Sequence, residues 1–298
     1  MLRLLAPAKL NLSLRVLGRR ADGYHELDTL FERIDLADEL TFTPQPGSAL
    51  TLTTDHPTLG VGVDNLILKA ARLLQRTAGV SHGAAIHLVK RIPVAGGLGG
   101  GSSDAATTLV GLNKLWGLSM ERARLKALAA ELGSDVPFFL EEAAFAVGRG
   151  RGERCEPRTG LPTLWHVLVT PPAALSTKEI FDDWDRAQAA AGLTAPEGSL
   201  RIVEHALSNG SLSELAQWVV NDLTPVAIRR CPLILTILSR LHEAGCPVAL
   251  MSGSGPSVLG LCHDSEHANV IADRIRRLDA SWFVHVVKTA KGDTAVGE

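Results

Sequence analysis

Pro93-Val94-Ala95-Gly96-Gly97-Leu98-Gly99-Gly100-Gly101-Ser102-Ser103-Asp104 puts five glycines into the six positions 96–101 and follows them with two hydroxyls. Past it, Ala105, Ala106, Leu109, Val110 and Leu112 recur at helical spacing, so the loop opens a helix. Glycines let backbone N–H groups approach an anion with no Cβ in the way. The helix start adds unpaired donors and positive dipole potential. Ser102 and Ser103 supply further donors for phosphate oxygens, or oxygens for a magnesium ion. The physical reading is a polyphosphate cradle. No Gly-Lys-Ser/Thr closes the loop, and the dinucleotide spacing G-x-G-x-x-G is not met. Two rivals stay open. One is a flexible loop ending in an N-capping serine. The other is a nucleophile elbow, Gly101-Ser102-Ser103-Asp104-Ala105, with alanine in the last place and Ser103 as a hydrolase nucleophile.

Upstream, Leu10, Leu12, Leu14 and Val16 alternate as in a half-buried strand, and 49–54 and 85–90 read as strands. Between them Asp64 is an expected N-cap, the apolar residues from Leu66 to Leu74 have helical spacing, and Gly79 suits a helix end. A further helix is expected from Ser119 to Gly133. Basic, glycine-rich residues 148–154 imply a domain junction or a hairpin near 150–160. Downstream the expectations are a strand at 165–170, a loop over 192–200, a helix at 233–244, strands at 248–251, 257–262 and 282–288, and a helix before the last. Met251-Ser252-Gly253-Ser254-Gly255-Pro256-Ser257 joins two of these strands, either as a plain hairpin turn or as a second backbone wall around the same phosphates. Helices mixed with hairpin-joined strands predict an α+β fold.

The 298 residues suffice for two domains. Thirty Lys plus Arg against 32 Asp plus Glu give a formal charge of −2, without the basic field that nucleic-acid or anionic-membrane binding requires. Cys155, Cys231, Cys246 and Cys262 form no CxxC pair and no zinc spacing, as expected of free structural thiols in a reducing compartment. With no leader-like N-terminus and no apolar run near the ~18 residues of a membrane span, the expected location is cytoplasmic. The oligomeric state is left open by the sequence.

Four more stretches complete a pattern: Ala6-Pro7-Ala8-Lys9-Leu10-Asn11-Leu12, Arg20-Ala21-Asp22-Gly23-Tyr24-His25-Glu26-Leu27, Asp64-Asn65-Leu66-Ile67 and Leu132-Gly133-Ser134-Asp135-Val136-Pro137-Phe138-Phe139. Together with the two glycine motifs they span residues 6 to 257 in order, and with them the chain resembles the GHMP kinases, the group of galactokinase, homoserine kinase and mevalonate kinase. The N-terminal stretches narrow the resemblance to the branch that acts on a cytidyl-linked methylerythritol.

The resemblance implies a two-domain fold: an ATP-binding and catalytic domain over 1–158, like the second domain of ribosomal protein S5, and a ferredoxin-like domain over 159–298 that completes the substrate cleft. It implies that ATP, with Mg²⁺, phosphorylates the 2-hydroxyl of the cytidyl-linked alcohol in non-mevalonate isoprenoid synthesis. Residues 93–103, Asn65, Gly253, Ser254 and Gly255 would bind ATP. Asp135 would accept the hydroxyl proton, although an Asp before Val-Pro also suits a helix N-cap. Lys9 would stabilise charge developing on the substrate oxygen, whereas a strand lysine is ordinarily solvated. Asn11 would orient the substrate, Tyr24 stack on the cytosine, His25 bond its polar edge, and Phe181 cover its other face. Some relatives carry a lysine after that aromatic where this chain has Asp182, with Lys178 as a substitute. Magnesium ligands beyond Ser102 or Ser103 stay unassigned. Another small alcohol such as homoserine or mevalonate is the alternative acceptor.

Overall fold

The structure, a computed structural model, describes residues 1–191 and 199–290. Its first sheet holds β1 (Leu2–Arg19), β2 (His25–Gln45), β3 (Leu50–Thr54), β4 (Gly83–Val89), β5 (Phe145–Gly150) and β6 (Arg154–Arg158). Helices α1 (Leu66–Ala78), α2 (Gly100–Leu115) and α3 (Arg122–Leu132) cover it through a core that includes Phe42, Ile86, Ile67, Leu109 and Leu128. The second sheet contains β7 (Trp165–Thr170), β8 (Val248–Met251), β9 (Val258–Cys262) and β10 (Phe283–Lys288). Around it lie α4 (Thr177–Ala191), α5 (Ser199–Ser208), α6 (Leu212–Trp218), α7 (Thr224–Arg230), α8 (Leu233–Ala244) and α9 (Ser265–Arg276). The strand order β10-β7-β9-β8 is that of a ferredoxin-like sheet, and the α+β expectation holds.

One long ribbon organises the site. β1 pairs antiparallel with β2 from Leu2↔Phe42 to Arg19↔His25. The other edge of β2 is shared end to end, β4 taking Glu39–Gln45 and β5 taking Leu27–Glu32. From the gap between them, buried charged side chains reach out to satisfy backbone groups of other segments. Arg33 donates to the carbonyls of Phe138 and Glu141, and Asp38 accepts from the N–H groups of Arg91 and Ile92. The glycine loop is thereby anchored at its first residues.

Register shifts at Pro7/Lys9, Asn11/Ser13 and Val16/Gly18 re-aim successive parts of β1. Leu4 and Ala6 enter the first core, while Leu14 and Val16 enter the core between the second sheet and its helices. Ala8, Leu10 and Leu12 enter a third core, which joins Leu30, Ile34 and Val147 to Leu168, Leu250, Leu259 and Val287 across the two sheets. Beside it a polar group centred on fully buried Glu32 and His166 links the halves. Glu32 accepts from Thr289 at 2.6 Å and lies 2.8 Å from His166 Nε2.

Several expectations are corrected. The first strand runs well beyond Leu10–Val16, and β2 had no expectation at all because buried Glu32, Arg33 and Asp38 break its alternation. Asn65, not Asp64, caps α1, its side chain accepting from the Ile67 N–H; Asp64 lies exposed. The helix expected from Ser119 starts at Arg122. The basic glycine segment is the tip of the β5–β6 hairpin. Of the loop expected over 192–200, residues 192–198 lie outside the described residues, and Ser199 and Leu200 open α5. All four cysteines are free.

Candidate active site

A cleft of about 1020 Å³ runs between the first sheet and α4, large enough for two nucleotide-sized ligands. At its floor Lys9, 4% exposed, is bonded on both sides: its Nζ donates to Asn11 Oδ1 at 2.6 Å and lies 3.3 Å from Asp135 Oδ2. Asn11 in turn donates to Thr29, so the amide is held with its oxygen toward the lysine. Asp135 precedes the 3₁₀ turn Val136–Leu140 but makes no side-chain cap there, and its carboxylate faces Lys9 instead. The capping alternative does not describe it.

The two glycine motifs interlock above this pair. Ser252 Oγ donates to the Gly97 carbonyl and accepts from the Asn11 N–H, and the Ser257 N–H bonds the Gly96 carbonyl. A Cβ on Gly97 would stand 2.3 Å from the Ser252 carbonyl oxygen, and one on Gly99 would stand 2.9 Å from Lys9 Cγ. Gly101 is different. It is exposed in the first turn of α2, with no protein atom closer than 3.7 Å to such a Cβ. Glycine there costs helix stability without any packing reason, and what it keeps clear is the cleft. The turn of the second motif is both a β8–β9 hairpin and a wall of the cleft through Gly253 and Ser254, braced by Asn221 Nδ2 on the carbonyls of Met251 and Gly253.

Pro93 to Gly101, Ser102, Asn65, Gly253 and Ser254 all border the cleft. Ser103 and Gly255 do not: Ser103 is fully buried with its Oγ unpartnered, and Gly255 packs on Met251. The nucleophile-elbow alternative fails for that reason. No N-capping serine is present either, since Gly99 occupies the N-cap in left-handed conformation. Asn65 has its amide committed to the helix cap and to the Gly60 carbonyl, so it shapes the wall.

At the far end, half-exposed Tyr24 has the Arg151 guanidinium 4.6 Å over its ring. Phe181 stacks on His25 at 4.7 Å, and both Phe181 and Tyr24 border the cleft. Lys178 and Asp182 both border the cleft. Sequence reasoning missed Lys90, which sits behind the loop between Asp38 and Asp104 Oδ2, the latter at 3.0 Å. Burial opposes the Lys90 charge, but Asp104 and Asp38 outweigh it and raise its pKa. Burial pushes Asp104 up to about 7 against the pull of Lys90, with Asp38 adding repulsion. A lysine six residues before the first glycine of the loop was the available signal.

One cleft thus brings together the two interlocked glycine loops and the Lys–Asp floor. The family model for the GHMP kinases N terminal domain matches residues 65–142, and that for GHMP kinases C terminal matches residues 203–280. The 4-diphosphocytidyl-2-C-methyl-D-erythritol kinase of Pelotomaculum thermopropionicum is 43% identical over 94% of this chain and 96% of its own length. That of Enterococcus faecalis is 40% identical over 96% of this chain and 98% of its own. A crystal structure of 4-(cytidine 5'-diphospho)-2C-methyl-D-erythritol kinase superposes with TM-score 0.80 at 35% identity, covering 97% of this chain and all of the other. The chain therefore belongs to the 4-diphosphocytidyl-2-C-methyl-D-erythritol kinase family within the GHMP kinases. A homoserine kinase from Cytophaga hutchinsonii shares the fold, with TM-score 0.75 at 20% identity over 98% of this chain and 96% of its own length. Among the described residues no helix is long and apolar enough to cross a membrane.

Proposed function

We propose that the chain transfers the γ-phosphoryl group of ATP to the 2-hydroxyl of 4-diphosphocytidyl-2-C-methyl-D-erythritol, a step of non-mevalonate isoprenoid precursor synthesis. The observation that carries this reading is the Lys9–Asp135 pair, set between a glycine cradle and an aromatic pocket in one cleft. Asp135 accepts the proton of the attacking hydroxyl, and Lys9 stabilises the charge that grows on that oxygen. Asn11 holds the lysine in place. Residues 1–158 supply the cradle and the floor, and 159–298 close the cleft with α4 and the Gly253–Ser254 turn. The open space at Gly101 and the capless start of α2 fit a nucleotide polyphosphate.

Among the described residues no group of three His, Cys, Asp or Glu side chains is placed to hold a metal by itself. That fits magnesium, which takes one or two protein oxygens and is otherwise held by phosphates and water. Ser102, which borders the cleft, with Asp104 next to it, would supply the protein side. The ion would neutralise charge on the transferring phosphoryl group. A small aliphatic alcohol would leave the Tyr24 and His25 end of the cleft empty.

The test is ADP release from magnesium-ATP with the cytidyl-linked acceptor, with Asp135→Asn run in parallel. The variant is expected to lose roughly 10²–10⁴-fold in kcat while the KM for ATP stays unchanged. Turnover that survives the substitution removes Asp135 from the chemistry. Turnover of homoserine or mevalonate in place of the cytidyl acceptor overturns the substrate.

A further inference from the structure

His25 is held from one helix on three sides. It opens β2, is 9% exposed, stacks on Phe181 at 4.7 Å and meets Trp184 edge-on at 5.7 Å. Its Nε2 lies 2.7 Å from Asp185 Oδ1, and Asp185 also lies 3.5 Å from Arg19 Nη1. Phe181, Trp184 and Asp185 stand at i, i+3 and i+4 of α4, so one helical face grips the ring. Nothing in the motif around Tyr24 signals this, because Asp185 is 160 residues away from His25.

We infer that Asp185 is a positioning residue that decides which nitrogen of His25 faces the acceptor base, and through it selects a base bearing an exocyclic amine. The inference rests on the cytidyl reading above. An ionised carboxylate only accepts hydrogen bonds, so Nε2 carries the proton. The neutral ring then presents Nδ1 as an acceptor. Among the described residues Nδ1 has no hydrogen-bond partner, and His25 borders the cleft. An acceptor fixed at that place pairs with the 4-amino group of cytosine. The 4-oxo group of uracil brings a second acceptor to the same spot, and neither is satisfied. Arg19 holds the carboxylate from its far side, which keeps Asp185 from turning away from the ring.

Two measurements test this. In ligand-free protein, two-bond ¹H–¹⁵N correlations of the His25 ring are expected to show a protonated Nε2 and a bare Nδ1, and Asp185→Ala is expected to mix the two tautomers. In kinetics, Asp185→Ala is expected to raise the KM for the cytidyl acceptor about tenfold and to shrink the preference for cytidyl over uridyl acceptor by a similar factor. Its kcat and its KM for ATP stay as in the unchanged protein. A proton on Nδ1 in the unchanged protein overturns the inference. So does an equal rise in KM for both acceptors, which would make Asp185 a packing residue. Absence of turnover with the cytidyl acceptor defeats the functional reading and base selection with it, whereas the tautomer is decided by the NMR measurement alone.

Discussion

Two residues of the cradle carry opposed demands, and substitution separates them. Gly101 occupies a helical position where alanine is better by about 0.5–1 kcal/mol, and the protein leaves room for the extra methyl. Gly101→Ala is expected to raise the thermal midpoint while raising the KM for ATP severalfold; a melt and a titration of ATP on the same preparation check both. Asp104 behaves differently. Its carboxyl is held at about 7 against an ordinary 3.8, so between those values the folded chain keeps a proton that the unfolded chain has released. Stability from this group is therefore complete below pH 4 and falls as pH rises toward 7. Asp104→Asn removes that slope. Urea midpoints at about pH 5 and about pH 8 are expected to differ less in the variant than in the unchanged protein.

Among the elements, the two glycine loops behave as one unit. Gly97 adopts φ +78° with the Ser252 carbonyl only 2.3 Å from where its Cβ would be, and the other close atoms, the N and O of Gly255, are backbone too. Gly97→Ala is expected to cost about 2–4 kcal/mol and to abolish activity, as read from urea unfolding beside the ADP assay. How far such features were legible depended on range. Helix α1 was readable from its spacing and Gly79, because capping and periodicity act over a few residues. The turn at 251–257 was readable as a hairpin for the same reason. β2 was not: Glu32, Arg33 and Asp38 look like surface charges in sequence, yet each is buried against a partner far along the chain. The Lys9–Asp135 pair joins residues 126 positions apart, so only the match of whole motifs to a family pointed to it.

The molecule as a whole is tied together where a cleft protein is often loosest. The third core spans both sheets, and the fully buried Glu32–His166 pair, with Thr289 on its edge, sits at the same junction. His166→Leu leaves Glu32 short of a partner and is expected to cost about 3 kcal/mol, with unfolding still a single transition in urea. Two separate transitions would show that the sheets fold independently. β1 adds a further tie. Beyond its pairing with β2, Leu14 bonds Val220 and Asp222 through the backbone, and Val16 N–H bonds the Asp222 carboxylate. Lys9 and Asn11 lie on that same unbroken strand. A strand sewn into both halves acts as a splint, so the two walls of the cleft share one backbone. A change that loosens β1 at either end therefore reaches both walls at once, because Lys9 and Asn11 hang from the same backbone.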